Sequence, residues 1–228
     1  MQNQQVFVIV PSFSEAAVLG TTLKSLLPLG YSIVVVDDGS EDNTQSVATQ
    51  FPIHYLRHPM NLGQGAALQT GMTYALQEGA QVIVHFDADG QHPAAKIPAL
   101  IAPVINGECD VVLGSRFLDQ RDSKLVPAPK RLLLRTGRLV NGVFSGLWLT
   151  DAHNGFRALS RKAAASIDLR ENGFAHATEL LDQIHRTGLR YKEIPSTIQY
   201  SEYSQQKGER LWNSFNIVVD TLLRKVLK

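Results

Sequence analysis

Four short unbroken apolar runs constrain this chain most: VFVIV at 6–10, IVVV at 33–36, VIVHF at 82–86 and VVL at 111–113. None alternates apolar with polar residues, so a strand built from any of them is covered on both faces. That requires a mostly parallel central sheet flanked by helices, an α/β fold. The segments between the runs supply the helices. Val18, Leu19, Leu23, Leu26 and Leu27 have helical spacing, which predicts a helix over 15–27 ended by Pro28 and Gly30. Asp42 or Asn43 can cap a short helix reaching about residue 50, and 53–56 reads as a short strand. Further helices are expected over 65–78, closed by Gly79, and over 93–105, where Pro98 and Pro103 argue for a kink or an early stop. A length of 228 residues suits one domain spanning 1–228.

In such sheets ligands bind beyond the carboxyl ends of the strands. The stretches PSFSE (11–15), DDGS (37–40), DADGQ (87–91) and GSR (114–116) all fall at such ends. Asp87 and Asp89 place two hard oxygen ligands at a strand exit, which suits Mg2+ or Mn2+ completed by water and a substrate phosphate. Asp-x-Asp by itself is common in loops; its place after an apolar strand marks it here. Asp37 and Asp38 can accept hydrogen bonds from a nucleoside, with Gly39 making the turn, although an ordinary Asp-Gly turn has the same sequence. Pro11, Phe13 and Glu15 lead into a helix start that favours acceptor groups, and Glu15 equally suits a first-turn carboxylate. The glycine-rich 61–65 turn, ending in Gly65, lets backbone approach a phosphate or sugar, or packs a helix closely. It lacks the spacing of a Walker loop or dinucleotide fingerprint. Arg116 is either a surface ion-pair residue or a phosphate clamp. His85 reads as a packed, hydrogen-bonded strand residue, and His92 lies near the metal motif.

The second half is less regular. Residues 119–130 read as a loop and 130–145 as a basic amphipathic helix, so 119–150 is the candidate acceptor-binding region. Arg131, Arg135 and Arg138 share a face that suits an anionic lipid surface, an acidic acceptor or plain solvent. A strand is expected at 155–159, a helix at 176–186, extended segments at 191–194 and 197–200, and a loop at 201–208. The 209–228 amphipathic helix fits core packing, a homo-oligomer contact or a membrane surface. A net charge of +1 offers no case for nucleic acid, and Cys109 alone allows no internal disulfide, which fits a reducing compartment. Residues 1–5 carry no basic flank and no apolar stretch reaches the ~18 residues of a membrane span. A cytoplasmic location with only peripheral membrane contact is expected.

Taken in order, PSFSE, VVVDDGSEDNT, NLGQGAALQTGM, VIVHFDADGQHP, DVVLGSRF, PAPKRLLLR…DAHNGFRALSR and TELLDQIHRTGLRYKEIPSTIQY resemble family 2 glycosyltransferases. The resemblance is to the dolichyl-phosphate mannose synthase-like branch, over nearly the whole chain. It implies a single nucleotide-diphosphosugar transferase domain of the glycosyltransferase A type. The implied reaction is inverting, metal-dependent transfer of a sugar from a nucleotide diphosphosugar to a polyprenyl phosphate, undecaprenyl or dolichyl, at the inner membrane face. The alternative is addition to a saccharide hydroxyl in cell-surface polysaccharide synthesis. By this resemblance Asp37, Asp38, Pro11, Phe13 and Glu15 line the nucleoside pocket, while Asp87, Asp89 and Gln91 surround the divalent ion. Arg116, Arg131 and Arg135 meet the acceptor phosphate, and Asp151 matches an acidic position of the catalytic region. Ser14 stands where the family carries asparagine, His153-Asn154-Gly155 departs from the usual approach to Phe-Arg, and Lys207 replaces a basic motif that closes over the diphosphate. Some small members work with a separate small membrane protein. A phosphate acceptor, largely dianionic at neutral pH, needs placement rather than deprotonation. A hydroxyl acceptor needs a general base, for which Asp151 and Glu179 are the candidates.

Overall fold

The structure, a computed structural model, describes residues 5–118, 146–152, 154–173 and 175–196. The expected 119–145 loop and basic helix with Arg131 and Arg135, the 197–200 strand, the 201–208 loop with Lys207 and the 209–228 helix lie outside the described residues. Among the described residues, no helix is long and apolar enough to cross a membrane.

The chain alternates as the apolar runs require: β1 (Val6–Ser12), α1 (Ala16–Leu26), β2 (Ser32–Asp37), α2 (Thr44–Ala48), β3 (His54–Arg57), α3 (Gln64–Gln77), β4 (Val82–His85), α4 (Ile97–Ile105) and β5 (Val111–Ser115). There follow β6 (Arg157–Ser160), α5 (Arg161–Ser166), α6 (His176–Arg186) and β7 (Tyr191–Pro195). α4 starts late enough that Pro98 sits in its first turn, where no donor is needed, and it runs on through Pro103. α5 was not expected. Its six residues are too few to show a period, and Ser160 caps it by accepting from the Ala163 N–H at 3.1 Å.

The strands form one seven-stranded sheet in the order β3-β2-β1-β4-β6-β5-β7. All pair in parallel except β6, which runs antiparallel to both β4 and β5. Successive side chains of each central strand face opposite layers. Phe7, Ile9, Val34 and Val36 pack with Met72, Ala163 and Leu180 of α3, α5 and α6. Val6, Val8, Val10, Ile33 and Val35 pack with Leu19, Leu23, Ile97 and Leu100 of α1 and α4.

The order of connection determines where a ligand can enter. From β1 the chain moves outward through β2 to β3, then returns to place β4 on the other side of β1. Connections therefore leave β1 and β4 in opposite directions, and a crevice opens between their carboxyl ends. The Phe86 N–H donates to Ile9 O at 3.0 Å and the Asp38 N–H to Ser12 O at 2.8 Å, so the three strand exits are stitched side by side.

His85, the last residue of β4, departs from expectation. It is buried, but neither ring nitrogen has a hydrogen-bond partner among the described residues. Burial, reinforced by the charges of Arg157 and His176, pushes its imidazole down to about 3. The unfolded chain therefore takes up a proton near pH 6.5 that the folded chain refuses until about pH 3. Stability is full above that window and falls as pH is lowered through it. His85→Phe is predicted to flatten this acid-side slope by up to about 1.4 kcal/mol per pH unit, measured by urea unfolding between pH about 4 and about 7.

Candidate active site

The carboxylate of Asp87 lies just past β4, partly buried at the foot of the crevice. Gln64 Nε2, in the first turn of α3, donates to its Oδ1 at 3.0 Å, and His92 Nε2 donates to its Oδ2 at 3.1 Å. The His92 ring is held in place by stacking on Phe156, centroids 5.0 Å apart, and by an edge contact with Phe86. Burial pushes the Asp87 carboxyl up. The His92 hydrogen bond and the charges of His92, Arg157 and His176 outweigh it and hold the group below the usual carboxylate range. At Asp89 the opposing pulls, the Gln91 backbone hydrogen bond and the His92 charge, are outweighed. Burial and then the negative charge of Asp87 push it up to about 6, with Glu15 adding a smaller push in the same direction. Gln91 meets the pair through its backbone N–H, which donates to Asp89 Oδ1 at 3.0 Å. The loop is pinned to α1 by the Thr22 hydroxyl, which donates to Ala88 O at 2.9 Å.

Two crowded carboxylates, one held below the usual range and one raised to about 6 by burial and by its neighbour's charge, are a fitting seat for a divalent cation. Their oxygens are the hard donors that Mg2+ and Mn2+ prefer. Among the described residues no group of three His, Cys, Asp or Glu side chains converges as a metal site. Water and substrate oxygens would therefore have to complete the coordination.

Sequence placed Asp37 and Asp38 against a nucleoside; the structure shows both engaged by the chain itself. Asp37 Oδ1 accepts from the Ser40 N–H at 2.8 Å and Oδ2 from the Tyr55 hydroxyl at 2.5 Å. Asp38 accepts from Leu62 N–H at 2.9 Å, Gly63 N–H at 2.7 Å and His58 Nδ1 at 2.7 Å. They fix the turns at the crevice wall. Gly39, at φ 77°, packs on the Met60–Asn61 backbone. Pro11 closes on the sheet as part of β1, and Phe13 stands 44% exposed just beyond it. The α1 start is not an open anion site: the Glu15 N–H donates to Thr44 Oγ1 at 3.1 Å and the Ala16 N–H to Asp42 Oδ2 at 3.2 Å. Ser14 adopts a left-handed φ of 55°, a region asparagine enters more readily.

Gly65 packs closely: its N–H donates to Asn172 O at 2.8 Å, and a β-carbon there would collide with Glu171 O. Close packing of the 171–173 loop is what requires glycine. Glu179 is engaged with the same loop, accepting from the Arg170 N–H at 3.0 Å and the Glu171 N–H at 2.9 Å.

Arg116 and Asp151, 35 residues apart in the chain, meet in a buried fork-to-fork pair. Nε donates to Oδ2 at 2.6 Å, Nη2 to Oδ1 at 2.7 Å, and the Arg116 backbone N–H to Oδ2 at 3.1 Å. This pair sits at the carboxyl end of β5, on the same edge of the sheet as the β4 exit.

Comparison with known proteins decides the family. Residues 7–167 match the family model described as Glycosyl transferase family 2. The chain belongs to glycosyl transferase family 2. A protein of Methanocaldococcus jannaschii of uncharacterised function is 35% identical over 99% of this chain and 94% of its own. The UDP-N-acetylglucosamine–dolichyl-phosphate N-acetylglucosaminyltransferase of Methanococcus voltae is 29% identical over 100% of this chain and 99% of its own. An undecaprenyl-phosphate mannosyltransferase of Micrococcus luteus is 30% identical over 89% of this chain and 87% of its own. These relatives put the chain in the dolichyl-phosphate mannose synthase-like branch. In fold, it resembles glucosyl-3-phosphoglycerate synthase of Mycobacterium tuberculosis bound to phosphoglyceric acid, at TM-score 0.69 and 22% identity over 97% of this chain and 79% of that one. The chain is thus a glycosyltransferase with the A-type fold.

Several residues of this family 2 glycosyltransferase site escaped the sequence reading. Gln64 read only as part of a turn, although amide donors beside a carboxylate are ordinary partners. Arg157, fully buried in β6, donates through Nε to Asn154 O at 2.8 Å and faces the charges of Asp87 and Asp151. Burial lowers its guanidinium to about 10, while those two carboxylates push the other way. Gly155 backs directly onto Asp87, where a β-carbon would stand 2.5 Å from Oδ2. Gly155→Ala is predicted to cut transferase activity at least about tenfold, a barrier change of about 1.4 kcal/mol, while leaving the far-ultraviolet circular dichroism spectrum intact.

Proposed function

We propose that this enzyme transfers a sugar, with inversion, from a nucleotide diphosphosugar to the phosphate of a polyprenyl phosphate at the cytoplasmic face of the membrane. The observation that carries this reading is the Arg116–Asp151 pair. Arg116, which this reading puts at the acceptor end, is buried with the plane of its guanidinium fixed by the Asp151 carboxylate. A hydroxyl acceptor would instead need a carboxylate at liberty to take a proton. Asp151 is bound to Arg116, and Glu179 is bound to the Arg170 and Glu171 backbone, so both candidate bases are engaged elsewhere. A phosphate dianion needs no base, only charge and placement. The relatives named as undecaprenyl- and dolichyl-phosphate sugar transferases support the same acceptor class.

In this reading the nucleoside lies along the β1 and β2 exits, bounded by Pro11, Phe13, Glu15 and the Gly39 turn. Asp37 and Asp38 hold those walls in place. Asp87 and Asp89, with Gln91, hold Mg2+ or Mn2+, which when bound would neutralise charge gathering on the departing diphosphate. Gln64 and His92 keep the Asp87 oxygens oriented toward that point. The acceptor oxygen approaches C1 from the side opposite the diphosphate, steered by Arg116 with Arg131 and Arg135. Lys207 serves as the cation closing over the diphosphate. The peripheral membrane contact falls to the 119–150 region.

Two outcomes are expected. Protein incubated with labelled nucleotide sugars, manganese and undecaprenyl phosphate should yield a glycosyl-phosphate lipid of inverted anomeric configuration, and Asp89→Ala should reduce its formation about a hundredfold. A saccharide product formed in preference to the lipid would overturn the acceptor class. Because a proton competes with the metal at Asp89, the manganese concentration for half-maximal nucleotide binding should rise up to about tenfold per pH unit as pH falls below about 6. Equilibrium dialysis across that range checks this.

A further inference from the structure

We propose that Glu193, on the edge strand β7, is a positioning residue for the acceptor end: acting through Thr150 and Asp151, it sets the direction in which the Arg116 guanidinium points. The inference rests on the reading that Arg116 meets the acceptor phosphate. Glu193 pairs in register with Leu113 of β5, which brings its carboxylate beside the strand exit that carries Ser115 and Arg116. Its oxygens accept from the Thr150 N–H at 2.9 and 3.0 Å, from the Thr150 hydroxyl at 2.7 Å and from the Asp151 N–H at 3.2 Å. The Thr150 hydroxyl also lies 2.6 Å from the Ser115 hydroxyl, and Ser115 Oγ accepts from the Phe117 N–H at 3.2 Å. Thus one carboxylate grips both residues of the 150–151 corner, and that corner grips the β5 exit on either side of Arg116.

Among the described residues no Lys, Arg or His forms an ion pair with Glu193. Its neighbour Lys192 turns outward to Glu108 at 2.9 Å instead. The carboxylate is therefore spent on two backbone N–H groups and a hydroxyl, the stronger, charge-assisted kind of hydrogen bond. The gain is rigidity at one place. Asp151 holds Arg116 through Nε and Nη2, so the orientation of Asp151 sets the plane of the guanidinium. An arginine on a flexible stem must give up much side-chain freedom to meet a phosphate in one geometry. A corner held from behind removes that freedom before the acceptor arrives. A misplacement of about 1 Å at such a contact can cost on the order of a hundredfold in rate.

The test is a kinetic cycle on the full-length chain with undecaprenyl phosphate varied at saturating nucleotide sugar. Glu193→Ala is expected to raise the acceptor KM at least about tenfold, with donor-nucleotide affinity unchanged by titration. Glu193→Gln keeps one acceptor oxygen and should lie between the two. Thr150→Val retains the backbone N–H and should give a smaller change in the same direction, so the inference stays testable if the alanine variant folds poorly. The deciding readout is coupling: in an Arg116→Lys background, which keeps a cation beside Asp151 but loses the fork, Glu193→Ala should add less than about twofold to the acceptor KM, because its route of action is already gone. Independent, multiplying effects in the double variant would overturn the proposal. So would a Glu193→Ala protein whose thermal midpoint and donor affinity fall while its acceptor KM holds. Wild-type protein that makes no glycosyl-phosphate lipid would overturn the acceptor reading itself, and this inference with it; the two failures are told apart because that one is read before any substitution.

Discussion

An anionic carboxylate held at the bottom of a crevice between two parallel strands is the constraint on which the rest of this structure depends. Asp87 follows β4 at the point where the sheet's connections part, with β1 beside it. A carboxylate in that position loses water, and burial alone would protonate it. Gln64, His92, Arg157 and His176 converge from four different parts of the chain to prevent this. The same set leaves Asp89, two residues on, without comparable relief. The unequal pair suits the doubly charged ion and the diphosphate that the proposed reaction calls for.

The two ends of the crevice differ in how they treat charge. At the Asp87 end two carboxylates lie close together, an arrangement that suits a cation from solution. At the Arg116 end the cation belongs to the chain. Arg116 is buried against Asp151, and Asp151 is held in turn by Glu193. Arg157 lies between, close enough to feel both Asp87 and Asp151. Breaking a buried charge pair of this kind by removing one partner strands the other, at a cost of several kcal/mol. Substitutions here consequently act on folding as well as on chemistry, and conservative exchanges separate the two more cleanly than alanine does.

Much of the fold was legible because it rests on local pattern. Unbroken Val and Ile runs report strands buried on both faces, and β1, β2, β4 and β5 lie where those runs lie. The direction of β6 was not legible, since nothing in its four residues distinguishes a parallel from an antiparallel neighbour. Nor was α5, whose alanines carry no periodic signal. The site divides in the same way. Asp87, Asp89, Arg116 and Asp151 stood out as charges at strand exits or in family motifs. Gln64, Glu193 and Gly155 did not, because their parts depend on contacts with residues distant in sequence: Gln64 with Asp87 across 23 positions, Glu193 with Asp151 across 42. At Gly65 the sequence left two readings open for a related reason. A glycine needed for a phosphate and one needed for a packed loop look alike until the opposing backbone is seen.

The central claim is that Asp87 and Asp89 together seat a divalent ion that carries the donor's diphosphate. A crystal of the protein soaked with manganese and a nucleotide diphosphosugar tests this most directly, using the anomalous signal of the metal. The account predicts one manganese peak within coordinating distance of both carboxylates and of diphosphate oxygens. A diphosphate bound elsewhere, or a manganese peak that leaves either carboxylate unengaged, would contradict it.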